Sequence, residues 1–169
     1  MERAVQRRSW VAAVAVLIAC LAVTAVADSD RAAPSIEMRS FKGAKVRLSD
    51  YQGKIVLLKL WASWCPDCVA SFTSLEALQR QYKAKGFEVI AVSVDGERKD
   101  AERFLKTRPY SLTGMFDPRA RVAAAFGATG IPTAYLIDRR GRIRFSHEGL
   151  ATSDDAVYRR HIDELLAEP

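Results

Sequence analysis

Three cysteines and two histidines are all that 169 residues offer toward cross-links or a metal cage. Cys20 lies in an N-terminal apolar run, which leaves Cys65 and Cys68 for the folded part. No disulfide framework is possible, and the fold must rest on its apolar core. A structural zinc site wants four ligands, and beyond the two cysteines only His147 and His161 remain, far apart in the chain and without ligand spacing. No metal or other cofactor is expected. Charge of one sign is also scarce: 26 basic and 20 acidic residues give a formal +6. They are interspersed, as in Glu97-Arg98-Lys99-Asp100 and Arg159-Arg160-His161-Ile162-Asp163-Glu164, which describes solvated helix faces and not a nucleic-acid footprint. Internal repeats and low-complexity tracts are missing, so a solenoid is excluded. What is present, 49% apolar and 27% charged residues, suits one globular domain.

The N-terminus carries its own message. Arg3, Arg7 and Arg8 precede an apolar run over residues 10–27 that ends in Ala25-Val26-Ala27 ahead of Asp28-Ser29-Asp30, the layout of a secretory signal with a small-residue cleavage site. Three outcomes fit residues 1–27. Cleavage after Ala27 releases the domain, retention of the run makes a membrane anchor just long enough to span the hydrocarbon, and Leu17-Ile18-Ala19-Cys20 resembles a lipobox that would lipidate Cys20. Arg7-Arg8-Ser9-Trp10-Val11 is a loose match to a twin-arginine signal. Each outcome places the domain in the periplasm or on the extracytoplasmic face of the inner membrane, where a cysteine pair stays oxidised unless something reduces it.

Residues 28–35 are polar, include Pro34, and read as a linker to a domain over 36–169. A hairpin around Gly43 is expected over 36–48, followed by a nearly unbroken apolar strand over 55–61, as in a strand covered on both faces. Val69, Phe72, Leu75, Leu78 and Tyr82 recur at helical spacing from Pro66 to about Lys85, and Gly86 supplies the stop. A second buried strand covers 87–94, and a short helix covers 100–106 ahead of Pro109. Asp117-Pro118 predicts a capped helix that runs through Phe126 to Gly127. Strands over 133–137 and 142–146 flank the turn Asp138-Arg139-Arg140-Gly141. Thr152-Ser153-Asp154-Asp155 opens a last helix with Val157, Ile162 and Leu165 inward. This order implies an α/β fold of three layers, a central mixed sheet flanked by helices, with an N-terminal hairpin.

The chemistry concentrates in Cys65-Pro66-Asp67-Cys68, at the junction of the first long strand and the first helix. Disulfide exchange needs one sulfur ionised and open to attack, and a second near enough to release the product. With Cys65 at the N-cap and Cys68 one turn on, the Cys65 thiolate would receive the free amides of Asp67 and Cys68 and the positive end of the helix. Pro66 fits the first helical position, where no amide hydrogen is needed. Two charges tune the pair. Asp67, about 7 Å from the sulfur at an effective dielectric near 40, repels the thiolate by on the order of 1 kcal/mol. Lys59, on the incoming strand, either lies under the helix and favours thiolate or snorkels to solvent at a sheet edge.

Leu48-Ser49-Asp50, Gly53-Lys54-Ile55-Val56-Leu57-Leu58, Trp61-Ala62-Ser63-Trp64-Cys65-Pro66-Asp67-Cys68, Gly130-Ile131-Pro132-Thr133 and Tyr135-Leu136-Ile137-Asp138-Arg139-Arg140-Gly141, in that order, resemble the TlpA/ResA group of thioredoxins within the AhpC/TSA-like redoxins. The resemblance implies a thioredoxin-like fold and a redox-active Cys65–Cys68 disulfide. It implies a cis proline at Pro132, substrate backbone pairing at Ile131, and a flat contact surface at Trp64. Protein thiol or disulfide clients and a membrane electron donor are the implied partners, with cytochrome c maturation or respiratory copper-site assembly as settings. Two departures stand out: Ser71 occupies a position where many relatives carry glutamate, and Lys59 one where they carry an acid or asparagine. A thiol peroxidase is the alternative within the same fold, although Ala62-Ser63-Trp64 lacks the upstream threonine or serine and proline that peroxidatic cysteines use. A tethered, non-catalytic adaptor is the third expectation.

Overall fold

The structure, a computed structural model, describes residues 31–107, 110–149 and 155–169. The leader with Cys20, the start of the linker, Pro109, and the expected cap Thr152-Ser153-Asp154 lie outside the described residues. In chain order the strands are Arg31–Ala32 (β1), Glu37–Arg39 (β2), Lys45–Arg47 (β3), Ile55–Trp61 (β4), Phe87–Ser93 (β5), Thr113–Phe116 (β6), Thr133–Ile137 (β7) and Arg142–Glu148 (β8). The helices are Pro66–Tyr82 (α1), Arg98–Lys106 (α2), Arg121–Phe126 (α3) and Asp155–Ala167 (α4). No helix among the described residues is long and apolar enough to cross a membrane.

Six strands form one mixed sheet in the order β1-β8-β7-β4-β5-β6, with β4, β5 and β6 parallel and β7, β8 and β1 antiparallel to their neighbours. β4 lies inside this sheet and all of its residues are buried, which explains why its sequence shows no polar alternation. Its odd positions Ile55, Leu57 and Trp61 join Phe72, Leu75 and Leu78 of α1 and Tyr158, Ile162 and Leu165 of α4 in one core. Its even positions Val56, Leu58 and Leu60 meet Val122 and Phe126 of α3 and Val46 of β3 in the other. The three-layer fold expected from the order of elements is therefore present.

Several boundaries differ from expectation, each for a local reason. Part of the stretch read as a linker joins the sheet: Arg31 pairs with Ile143, Ala32 with Arg142, and the Ala33 amide donates to the Gly141 carbonyl at 2.8 Å. β6 has no counterpart in the sequence reading, because its four residues include Gly114 and show no alternation; parallel pairing with β5 makes it a strand. α3 starts at Arg121 with Ala120 at its N-cap, and not at Pro118 with Asp117 there; Asp117 instead reaches the first turn from outside the helix and accepts the Val122 amide at 2.7 Å. In α4 it is Tyr158, beside Ile162 and Leu165, that is fully buried, and Val157 is only partly so.

The β2–β3 hairpin lies across the outer edge of β6. Ser40 bridges to Met115, the Phe41 amide donates to the Gly114 carbonyl at 2.9 Å, and the Arg98 guanidinium lies 5.0 Å from the Phe41 ring centre.

Candidate active site

β4 delivers the chain to the top of the sheet and a single turn carries it into α1. The Cys65 amide donates to the Ala62 carbonyl at 3.2 Å, and Cys65, in extended conformation, caps the helix that Pro66 opens. The Cys68 amide donates to the Cys65 sulfur at 3.2 Å. This is one of the two amides expected there, and it gives Cys65 the hydrogen bond that stabilises a thiolate at a helix start. The two cysteines form a disulfide with a Cα–Cα separation of 5.2 Å. They are not equivalent, since Cys65 keeps 7% of its surface and Cys68 none. Of the two, only Cys65 retains any exposed surface.

Other expected residues fall at different depths. Trp64 is 67% exposed, the exposed large hydrophobic among the described residues, and directly precedes Cys65. The Ile131–Pro132 peptide is cis. Ile131 packs against the core cluster that includes Cys65 and Cys68, and the Pro132 carbonyl accepts the Gly149 amide at 2.8 Å. Asp67 is exposed on the first turn of α1. Ser71 is buried and spends its hydroxyl on the Cys68 carbonyl at 2.7 Å.

Lys59 does not snorkel. It is 1% exposed in an interior strand, and its register partners are Ala91 on β5 and Ala134 on β7, small residues that leave room for its stem. Alternation puts it on the α1 face with Leu57 and Trp61. Burial lowers its pKa from the usual lysine value to about 8. Far from being apart, His147 and His161 meet, Nε2 to Nδ1 at 3.2 Å, where α4 crosses β8, and the Phe145 ring stacks 3.9 Å from the His161 ring. Sequence distance concealed the pairing of a strand with the terminal helix. The pair remains two ligands: no group of three or more His, Cys, Asp or Glu side chains gathers among the described residues.

Two buried carboxylates went unrecognised in the sequence. Glu76 of α1 accepts the Ser111 amide at 2.9 Å and its hydroxyl at 2.8 Å. Asp95 is 1% exposed just beyond β5 and bonds to Ser63 and Ser93. The available signal for Asp95 was its place at the carboxyl end of a buried parallel strand, where such sheets put their sites.

Comparisons with known proteins agree with this geometry. The AhpC/TSA family profile matches residues 30–146. Thiol-disulfide oxidoreductase ResA of Geobacillus kaustophilus (strain HTA426) is 32% identical over 142 residues, 84% of this chain and 80% of that one. The crystal structure of a chain assigned as thiol:disulfide interchange protein DsbE from Chlorobium tepidum superposes with a TM-score of 0.79 at 38% identity, covering 83% of this chain and 99% of the other. The exposed lipoprotein thioredoxin of Streptococcus pneumoniae strain TIGR4 gives a TM-score of 0.67 at 29% identity, over 78% of this chain and all of that one. With Cys65 capping α1 and bonded to a fully buried Cys68 in a thioredoxin-like sheet, this chain belongs to the AhpC/TSA family and is a thiol-disulfide oxidoreductase of the ResA/DsbE type.

Proposed function

We propose that this oxidoreductase works outside the cytoplasm as a reductant of disulfides in exported proteins, with Cys65 as nucleophile and Cys68 as resolving thiol. The observation that carries the reading is the asymmetry of the pair: Cys65 keeps 7% of its surface and its sulfur holds a helix-start amide, and Cys68 has no exposed surface. In the reduced protein the Cys65 thiolate attacks one sulfur of a client disulfide, and the other client sulfur leaves as thiolate. Cys68, deprotonated, then attacks Cys65 in the mixed disulfide, so the client departs as a dithiol and Cys65–Cys68 closes. Two electrons have passed to the client. A membrane dithiol donor restores the pair by the same exchange in reverse.

Trp64 supplies a flat apolar surface beside the entry point, and the Ile131 backbone ahead of Pro132 offers hydrogen bonds to an extended client segment. Lys59 raises the thiolate fraction of Cys65 and Asp67 lowers it. The leader places the domain beyond the membrane, released after Ala27, held by residues 10–27, or lipidated at Cys20, the last in keeping with the lipoprotein character of the pneumococcal relative. Clients with exposed cysteine pairs that must be reduced before haem attachment or copper loading, as in cytochrome c or a respiratory oxidase, match this chemistry.

The test is a Cys68→Ser chain expressed with its leader, which cannot resolve mixed disulfides and therefore holds its clients. Captured exported proteins with paired cysteines support the proposal. Rapid consumption of hydrogen peroxide by Cys65, or an unaltered biological effect in Cys65→Ser, would indicate instead a peroxidase or an adaptor. A midpoint potential more oxidising than the glutathione couple would overturn the reductive direction.

A further inference from the structure

The loop that carries the nucleophile is held from the next strand. Asp95 lies two residues beyond β5, and both of its carboxylate oxygens accept the Ser63 backbone amide, at 3.0 and 3.1 Å. Oδ1 also accepts the Ser63 hydroxyl at 2.7 Å, and Oδ2 accepts the Ser93 hydroxyl at 2.7 Å. The Asp95 amide in turn donates to the Ser93 hydroxyl oxygen at 3.1 Å, which fixes the carboxylate's direction. Ser63 is a consequential partner. It is the second residue of the turn Ala62-Ser63-Trp64-Cys65, closed by the Cys65 amide on the Ala62 carbonyl, and that turn presents both the attacking sulfur and the exposed indole. A further bond, from the Val94 amide to the Trp61 carbonyl at 2.8 Å, ties the ends of β5 and β4 together just below it.

Taking a carboxylate out of water is costly, and buried charges as a rule add little to stability beyond what an apolar side chain of similar size gives. What this one supplies is direction: three donors converge on it from two chain segments. We infer that Asp95 is a positioning residue for disulfide exchange, which through Ser63 locks the turn so that Cys65 stays at the α1 N-cap with its sulfur against the Cys68 amide. The inference rests on the reading of Cys65 as the attacking sulfur. When the clasp is released, the turn samples other conformations, the bond from Cys68 to the sulfur is made only part of the time, and the thiolate loses its best donor.

The sign of one measurement separates positioning from simple electrostatics. Asp95→Asn removes a negative charge near the thiolate, which by field alone would move the alkylation midpoint of Cys65 to lower pH. Release of the clasp moves it to higher pH. Reduced wild type, Asp95→Asn, Ser63→Ala and Ser63→Thr are each titrated by iodoacetamide alkylation across pH 4–10 and tested for reduction of a small protein disulfide, with melting temperature recorded alongside. The expected result is an upward midpoint and an exchange rate lowered on the order of tenfold in Asp95→Asn, a smaller change of the same sign in Ser63→Ala, and wild-type behaviour in Ser63→Thr. A downward midpoint in Asp95→Asn overturns the inference, as does a Ser63→Ala chain that matches wild type in both readouts or differs only in melting temperature. If Asp95→Asn does not fold, the Ser63 pair decides alone. A wild type that reduces no disulfide overturns the reading of Cys65 itself, and the clasp's role with it.

Discussion

The amide of Cys68 points at the sulfur of Cys65 from 3.2 Å, so in the proposed exchange the residue that resolves the mixed disulfide also stabilises the residue that forms it. Proximity in the chain makes the pairing, and burial divides the labour. In the reduced protein Cys65 is expected to be alkylated at least about tenfold faster than Cys68 at neutral pH, because thiolate character and access both favour it. Mass spectrometry after brief iodoacetamide treatment reads the ratio, and equal labelling would contradict the assignment.

Lys59→Met probes a buried cation. A lysine with its folded pKa depressed to about 8, against 10.5 when unfolded, holds fewer protons in the folded state between those values. The unfolded state binds the excess, so this group's contribution to stability rises as pH climbs from about 8 to 10.5, and below pH 8 its cost is full. That cost is on the order of 3 kcal/mol. Lys59→Met should therefore be more stable than wild type at pH 7, with the gap closing toward pH 10.5 in urea titrations. Its Cys65 alkylation midpoint should move up by roughly half a unit as the cation disappears. An unmoved midpoint would show that the amine does not act on the sulfur.

Trp64→Ala separates contact from stability. An exposed side chain with so little packing should change unfolding free energy by no more than about 0.5 kcal/mol. Reduction of a folded client should nevertheless slow, while reaction with a small aromatic disulfide stays near wild type. Equal rates with the protein client would remove Trp64 from the docking surface.

Phe72→Ala tests the core beneath the dithiol. Its ring lies 4.6 Å from that of Trp61 and 5.0 Å from those of Phe104 and Tyr110. Removing it should cost about 3–5 kcal/mol in chemical denaturation. A loss under 1 kcal/mol would mean that the cluster closes over the gap.

Glu76→Gln leaves one acceptor oxygen for two donors on Ser111. A loss of about 1–2 kcal/mol is expected, with faster amide hydrogen exchange at Ser111 and an unchanged Cys65 titration. A shifted titration would link this carboxylate to the thiol as well.

Most of the scaffold could be read directly because its signals are local. The apolar density of β4, the spacing along α1, and the turn between β7 and β8 each declare themselves within a few residues. β6 could not be read, since nothing in Thr113-Gly114-Met115-Phe116 asks to be a strand until β5 lies beside it. The dithiol was equally plain, its spacing being the chemistry. Its supports were not: Asp95 meets Ser63 across 32 positions and Glu76 meets Ser111 across 35. Lys59 was ambiguous because a lysine's burial depends on whether its strand ends up inside or at the margin, and on the two alanines beside it. His147 and His161 needed the crossing of β8 by α4 to become a pair.

The hairpin laid over β6 has a consequence for solubility. A Cβ added at Gly114 would come within 2.9 Å of the Phe41 ring. Even alanine there requires the Phe41 ring, or the hairpin that carries it, to shift, and a shift that broke the Phe41–Gly114 bond would uncover part of the β6 edge, the kind of edge on which sheets of separate molecules pair. The missing side chain at Gly114 is thus what lets Phe41 close over that margin of the sheet.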